Sequence, residues 1–229
     1  MRRDDPDAFH VGPTRALAWP AETVIEALEP LLTPERLARM DAVVRQRTRR
    51  FVPVLENLHD PHNASAVLRS ADAFGIQDVA MVRSDGEFLA ARRVAQGSHR
   101  WLDLHLFEGT AASIAWLKER KYRVLVARMD GSIGPSALAD VPTAVIFGNE
   151  HAGVSAEAES LADGSYAIPM AGFVESLNVS VAAAVTLYAA TAGRTGDLHA
   201  EEQRTLKARF LLASVRDAER VVEERVRAR

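Results

Sequence analysis

The sequence predicts an α/β protein whose mostly parallel sheet has helices on both faces. With 229 residues, 48% of them hydrophobic, the chain can bury the core of one α/β domain with terminal additions, or of two small domains at most. From residue 51, short β-rich runs alternate with helical stretches, which is typical of a parallel sheet. The predicted strands cover residues 52–58, 79–82, 102–107, 122–129, 144–147 and 166–169, and the predicted helices lie near residues 64–74, 88–96, 110–120, 155–162 and 178–191.

Further segments flank this α/β region at both ends. Residues 1–32 contain four prolines and are expected to form a loosely ordered extension with one short helix near residues 23–28. A basic helix over residues 33–50 follows, because Thr33 can cap it and Pro34 suits its first position. The α/β domain then spans residues 51–195, and residues 196–229 are expected to form a C-terminal packing helix that runs to about Arg227.

The composition excludes several classes of site. The chain has no cysteine, so it has no disulfide, thiolate metal site or cysteine nucleophile, which fits a reducing cytoplasm. No segment approaches 18 consecutive apolar residues, and acidic residues follow the first two arginines, so neither a membrane helix nor a secretory signal is expected. The glycine-rich dinucleotide and Walker A motifs, a His-x3-His zinc pair and the Gly-x-Ser-x-Gly of serine hydrolases are also absent from the sequence.

Charge is distributed unevenly along the chain. The net charge of −3 argues against a nucleic-acid-binding protein, but six arginines lie between residues 36 and 50 with only one acidic residue, Asp41, among them. Local basic density matters more for phosphate binding than net charge does. This stripe is either a phosphate-binding surface or an ordinary solvated helix face.

Three segments contain residues that are unusual in a plain core, and the first covers residues 60–75. Asn63 is well suited to cap a helix and Gly75 to end it. Between them, Arg69 lies beside an apolar row. An arginine in that place either extends to solvent along the apolar surface or serves a function.

The other two segments each follow a predicted strand. In residues 145–155 an apolar strand leads into a Gly-Asn-Glu turn that ends at Glu150. In residues 168–184 a Pro/Gly loop leads into a helix rich in small residues, with Ser176 and Asn178 at its start. Open parallel sheets bind ligands at the carboxyl ends of their strands, so both turns are candidate sites, although each residue also suits a turn or a cap.

Taken together and in this order, the three segments resemble the signature motifs of the SPOUT methyltransferases, in particular the SpoU/TrmH branch. The matching residues are Asn63 and Arg69 in the first motif, Phe147-Gly148-Asn149-Glu150 with Gly153 in the second, and Ile168-Pro169-Met170 leading to Ser176-Leu177-Asn178-Val179-Ser180 in the third. The match covers roughly residues 33–195.

The resemblance implies a fold, a cofactor and an assembly. Members of this branch have a parallel-sheet domain with a deep trefoil knot, expected here at about residues 143–190, and they form homodimers that use the helix starting at Asn178. They bind S-adenosylmethionine, largely through backbone groups, and require no metal ion. By position, the residues expected to bind the cofactor are Ala127, Gly148, Ile168, Met170 and Leu177.

The resemblance also implies methylation of a ribose 2′-hydroxyl in RNA. Arg69 matches the catalytic arginine, with Asn63, Glu150, Ser176 and Asn178 around it. Because a guanidinium group keeps its proton in proteins, Arg69 is expected to hold a phosphate and stabilise the developing oxyanion rather than act as a base. The residues expected to bind RNA are Arg39, Arg45, Arg47, Arg49, Lys118 and Arg194.

Transfer RNA is the expected substrate. Residues 45–47, followed by Leu55-Glu56-Asn57-Leu58-His59, resemble the subgroup that methylates guanosine 18 in the D-loop. One alternative is ribose methylation of ribosomal RNA, which is less favoured because the first fifty residues leave no room for a separate RNA-binding domain. The other is an RNA-binding protein without catalysis, which the complete set of motif residues disfavours.

Overall fold

Seven strands form one sheet in the computed structural model, which describes residues 8–11, 17–82, 98–139 and 141–228. The strands are β1 (Ala8–Val11), β2 (Phe51–Glu56), β3 (Asp78–Val82), β4 (Asp103–Phe107), β5 (Arg123–Ala127), β6 (Thr143–Phe147) and β7 (Gly164–Tyr166). Their order across the sheet is β1-β4-β3-β2-β6-β5-β7. Strand β1 pairs antiparallel with β4, and all other neighbours are parallel. The prediction of a mostly parallel sheet is confirmed.

The strand predicted at residues 166–169 is displaced. Strand β7 ends at Tyr166, and the segment that follows forms neither strand nor helix until Asn178. The backbone N–H of Ala167 still donates to Ile133 at 3.0 Å, but Pro169 has no N–H with which to continue a ladder. The helix predicted at residues 88–96 lies outside the described residues.

Helices cover both faces of the sheet. On one face lie α3 (Pro61–Ala73) and α6 (Val179–Thr191), and on the other lie α4 (Thr110–Glu119) and α5 (Ala156–Leu161). Strand β2 serves both cores, because Phe51 and Leu55 face the first layer whereas Val52 faces the second. The predicted helices near residues 64–74, 110–120, 155–162 and 178–191 are therefore confirmed.

The start of α3 differs from the prediction. Asp60, not Asn63, caps this helix, and its carboxylate accepts the backbone N–H of His62 at 2.8 Å. Pro61 takes the first helical position, which shifts the cap upstream and leaves Asn63 inside the first turn with its side chain buried. Gly75 ends the helix as predicted, with a φ of 75°.

The segment before β2 is more ordered than expected. Helix α1 (Ala21–Leu28) buries Val24 and Leu28 completely, and α2 (Pro34–Arg45) begins at Thr33, whose hydroxyl accepts the N–H of Arg36. The short helix predicted near residues 23–28 is confirmed as α1, whereas the loose order predicted around it is wrong for residues 17–32. Pro20 caps α1 and Pro30 lies in the short turn of residues Glu29–Leu31, where neither proline prevents packing.

The C-terminal region also differs, because it contains two helices instead of one. These are α7 (Ala200–Ser214) and α8 (Ala218–Arg227), separated by Asp217 in a left-handed conformation with a φ of 53°. Both pack against α1 and α2 in a third apolar cluster. We call these four helices the terminal cluster, and it joins both ends of the described chain in one layer.

Two arginines of the basic stripe point inward. The side chain of Arg47 is 1% exposed, forms an ion pair with Asp72 and donates from Nη1 to the carbonyl of Ile76 at 3.0 Å. Burial lowers the pKa of Arg47, and the nearby Asp72 carboxylate opposes that change. A guanidinium enclosed in this way does not reach a phosphate outside the protein. The prediction that Arg47 binds RNA is wrong.

Arg49 is held by two buried carboxylates. Its Nη1 lies 2.6 Å from Asp78, and its Nη2 lies 2.7 Å from Asp103. Arg209 of α7 also approaches Asp103, at 3.2 Å, so this network ties the terminal cluster to the sheet. Burial alone would lower the pKa of Arg49, but the two carboxylates raise it overall. Both terminal nitrogens are paired with carboxylates, but the side chain is still 32% exposed, so RNA binding by Arg49 stays a prediction.

Arg49→Met should destabilise the protein by about 3 kcal/mol or more in urea unfolding at pH 7, because two buried carboxylates lose a counter-ion. Arg45→Met, an exposed neighbour, should change the free energy of unfolding by less than about 0.5 kcal/mol.

Acid should weaken the same network. Burial disfavours the charged form of Asp78, but hydrogen bonds from His105 and Arg49 keep its pKa below the ordinary value. The stabilisation that ionised Asp78 provides is therefore present above about pH 4 and is lost as the pH falls further. This loss should be smaller in Arg49→Met, because that variant already lacks the ion pair. Equal free energies of unfolding of Arg49→Met and Arg45→Met at neutral pH would contradict the stabilising role of Arg49 in this network.

Candidate active site

The loops at the carboxyl edge of the sheet bring most of the predicted cofactor residues together. Strands β6, β5 and β7 are parallel neighbours, so their carboxyl ends share one edge. Ala127 ends β5, Gly148 directly follows β6, and Ile168 lies two residues beyond β7. These three residues are half-buried, as is Leu177, whereas Met170 is exposed.

The turn after β6 is tight enough to require glycine. The backbone groups of Asn149 and Gly153 form two mutual hydrogen bonds, each of 2.9 Å. A Cβ atom at Gly148 would lie 2.2 Å from the carbonyl group of Gly153 and from the nitrogen of Val154. No side chain fits there, so this position of the turn requires glycine.

Three polar side chains from separate motifs meet at this edge. The amide of Asn63 donates from Nδ2 to Oε1 of Glu150 at 2.8 Å. Its own Oδ1 accepts from Nδ2 of Asn178 at 3.1 Å. Asn178 also caps α6, because its Oδ1 accepts the backbone N–H of Ser180 at 2.8 Å. We call Glu150, Asn63 and Asn178 the polar chain; it fixes the orientation of all three groups.

Glu150 is ionised in this arrangement. Partial burial disfavours its charged form, but the hydrogen bond from Asn63 and those from backbone N–H groups, including that of His59 at 3.4 Å, lower its pKa below the ordinary value. A charged carboxylate therefore lies beside the exposed turn at neutral pH.

Two predicted catalytic residues are not joined to the polar chain. Arg69 lies six residues after Asn63 on α3, about 9 Å farther along the helix axis, and it is exposed. Ser176 is exposed in the loop before α6. Among the described residues, neither side chain has a hydrogen bond or an ion pair. Both are available to a ligand that approaches from solvent.

Sequence reasoning assigned no role to Glu56, the last residue of β2. Its side chain is almost fully buried and accepts three hydrogen bonds: from the hydroxyl of Thr110 at 2.5 Å, and from the backbone N–H and hydroxyl of Ser155 at 2.8 and 2.7 Å. Glu56 thereby anchors the loop that contains Gly148 and Glu150. The sequence pattern from which this anchoring role could have been predicted is an acidic residue at the end of an otherwise apolar strand.

The exposed basic residues lie elsewhere. Arg39 and Arg194 line a cavity of about 790 Å³ near the amino end of β2, together with Arg50, Phe74 and Tyr188. This is the edge opposite to the polar chain, at the far end of α6. Arg45 is exposed at the end of α2. Lys118 lies apart on the other face of the sheet, on α4, where it pairs with Asp163 at 3.0 Å.

The part of the chain that the structure describes lacks two other kinds of feature. It contains no group of three or more histidine, aspartate or glutamate side chains arranged to hold a metal ion. It also contains no helix with the length and apolar character needed to span a bilayer.

The amino-acid sequence is similar to a known family and to named enzymes. Residues 50–188 match the SpoU rRNA Methylase family. The tRNA (guanosine(18)-2'-O)-methyltransferase of Thermus thermophilus is 41% identical over 160 residues, which cover 69% of this chain and 82% of the relative. The enzyme of the same name from Escherichia coli K12 is 34% identical over 161 residues, covering 69% and 70%.

Solved structures show the same similarity. The Aquifex aeolicus TrmH/SpoU tRNA modifying enzyme superposes with a TM-score of 0.60 and 26% identity, covering 85% of this chain and 96% of that one. The SpoU methyltransferase AviRb of Streptomyces viridochromogenes, in complex with the cofactor AdoMet, superposes with a TM-score of 0.54 and 25% identity, covering 64% and 60%.

Gly148→Ala should distort the turn after β6, because the added Cβ meets backbone atoms that cannot rotate away. We expect a loss of about 1–3 kcal/mol in the free energy of unfolding, with faster hydrogen exchange at the amides of Asn149 and Gly153. Gly134→Ala is the matched control, since its Cβ would meet no atom within 4 Å. Equal effects of the two substitutions would disprove the steric requirement.

Proposed function

The chain belongs to the SpoU rRNA Methylase family, and on that premise we propose that it transfers a methyl group from S-adenosylmethionine to the ribose 2′-hydroxyl of guanosine 18 in tRNA. The polar chain of Glu150, Asn63 and Asn178, which unites three distant motifs at one edge, is the observation that carries this proposal. The relatives named for guanosine 18 methylation support the choice of substrate.

The residues at the carboxyl edge of the sheet suit this cofactor. Gly148 leaves a stretch of backbone without a side chain, and Ala127 and Ile168 provide half-buried apolar surface beside it. With Met170 and Leu177 they would hold the adenosine and methionine parts largely through backbone groups. The bound cofactor supplies an electrophilic methyl group on a sulfonium centre, so the protein's main task is to align the hydroxyl with it.

Arg69 is assigned to the RNA and not to the cofactor. Its guanidinium is exposed and has no partner among the described residues, so it can grip a phosphate beside the target ribose and donate to the 2′-oxygen as negative charge develops there. The hydroxyl proton would pass to bulk water, and the methyl group would leave the sulfonium sulfur, which becomes a neutral thioether. Asn178, Ser176 and Glu150 bind and orient the ribose from the other side.

A trefoil knot and a homodimer belong to the same proposal. One close backbone passage between distant segments supports the knot: a Cβ at Gly131 would lie 2.4 Å from the carbonyl carbon of Tyr166. The dimer is supported by α6, which exposes Val181, Val185 and Tyr188 at helical spacing along one side.

The cavity at the opposite edge is proposed as a second RNA contact. Arg39 and Arg194 are exposed there and have no ion pair among the described residues. With Arg45 they form a basic surface about one α6 length, roughly 20 Å, from the polar chain. A folded tRNA is large enough to span both places.

Incubation with methyl-labelled cofactor and bulk tRNA tests the function directly. We expect label at the ribose of guanosine 18, and methylation of ribosomal RNA alone would contradict the substrate. Arg69→Ala should cut single-turnover methylation by about 10²–10³-fold, since one preorganised donor to an oxyanion is lost. Calorimetry should show nearly unchanged cofactor affinity, whereas loss of cofactor binding would overturn the role given to Arg69.

The RNA surface is tested by salt dependence. Replacing Arg39 and Arg194 with Ala should weaken tRNA binding and reduce the slope of log K against log salt by roughly 0.7–0.9 for each lost phosphate contact. Arg220→Ala, which removes an exposed arginine of α8, is the control and should leave the slope unchanged. An unaltered slope in the double variant would favour the solvated-face interpretation of the basic stripe.

A further inference from the structure

The loop between β7 and α6 contains an aromatic side chain with nothing against it. Phe173 is fully exposed, at 108% of the reference area, and Val174 beside it is 63% exposed. Single exposed apolar side chains are common on protein surfaces, but Phe173 and Val174 together form an exposed apolar patch beside the proposed active site, and such a patch indicates a binding surface.

Both ends of this loop are fixed at the proposed active site. On one side, Ala167 is hydrogen-bonded to Ile133 at 3.0 Å. On the other, Asn178 belongs to the polar chain. Asn178 follows Phe173 by five positions, which limits their Cα atoms to about 18 Å apart, and Glu175 is within about 11 Å of Asn178. A nucleotide whose ribose lies at Asn178 therefore has its base within reach of this loop.

Glu175 gives the loop a hydrogen-bonding character that fits one base. Its side chain is exposed and, within the described part of the chain, has no hydrogen bond or ion pair. An ionised carboxylate only accepts hydrogen bonds, through two oxygens. Guanine is the RNA base that offers two adjacent donors, N1–H and N2–H, on its Watson–Crick edge. Each of the other three bases has only one donor group on that edge, next to an acceptor that a carboxylate repels.

We propose that this loop is the guanine subsite of the proposed methyltransferase: Phe173 stacks on the unpaired target base, and the Glu175 carboxylate accepts hydrogen bonds from N1–H and N2–H. Proteins commonly recognise unstacked RNA bases by stacking on an aromatic ring together with hydrogen bonds to the Watson–Crick edge. The inference rests on the proposed function and adds to it the residues that select the base.

Inosine isolates the carboxylate contact, because it keeps N1–H but lacks the N2 amino group. The experiment compares kcat/KM for two tRNAs that differ only in guanosine or inosine at the target position. The wild-type protein should prefer guanosine by about 10-fold or more, the usual effect of one hydrogen bond to a charged group. Glu175→Ala should reduce this preference to about 1, and Glu175→Gln, which retains one acceptor, should keep part of it.

The stacking role of Phe173 is tested by a substitution that should affect the guanosine and inosine tRNAs equally. Phe173→Ala should lower kcat/KM for both tRNAs by a similar factor, about 10-fold, through a higher KM, and Phe173→Tyr should restore it. Calorimetry and light scattering should show cofactor affinity and molecular mass unchanged. A loss of cofactor binding would place the ring on the cofactor, and a change in mass would place it in an interface between subunits; either result overturns the stacking role.

The control Glu157→Ala removes an exposed acid of α5 outside the loop and should leave the guanosine preference intact. A wild-type protein that methylates guanosine and inosine equally would disprove the guanine subsite while leaving the methyltransferase proposal standing. Failure to methylate any RNA would instead overturn the proposed function itself.

Discussion

The common direction of six strands determines where the three side chains of the polar chain lie. Because β2, β3, β4, β5, β6 and β7 are parallel, their carboxyl ends meet at one edge, and the loops that leave them have no other place to converge. The polar chain is a consequence: Asn63 enters from the loop after β2, Glu150 from the loop after β6, and Asn178 from the loop after β7. Reversing β2, β6 or β7 would move its loop to the opposite edge and separate the three side chains.

Local sequence patterns predicted the strands of the sheet well, but they did not predict which arginines of the basic stripe are exposed. Strands and helices follow from spacing within a few residues, so five predicted strands match closely and only β7 is displaced. Arg47 and Arg49 are held in place because they pair with carboxylates 25 to 54 residues away along the chain, which reach them only after folding. These carboxylates belong to Asp72, Asp78 and Asp103. The same stripe therefore contains exposed arginines such as Arg39 and buried ones, and composition alone does not separate them.

The candidate site shows a similar division between local and distant information. Residue types at single positions indicated caps and turns, which was right for Asn178 and wrong for Asn63, because Pro61 moves the helix start upstream. That Asn63 meets Glu150 followed only from the resemblance of the three motifs taken together. Glu56 belongs to none of the three motifs, and no role was predicted for it, although its buried carboxylate holds the loop on which Glu150 depends. Supporting residues of this kind become visible only when partners from three elements are seen together.

The terminal cluster has a consequence for how the polypeptide is made. Helix α1 leaves the ribosome early, but the surface that buries Val24 and Leu28 belongs to α7 and α8, which are synthesised more than 170 residues later. At about 5–20 residues per second, the apolar face of α1 waits on the order of 10–30 s for its partners. During that interval it is exposed to chaperones and to other nascent chains. For this helix, the order of synthesis and the order of packing are opposite.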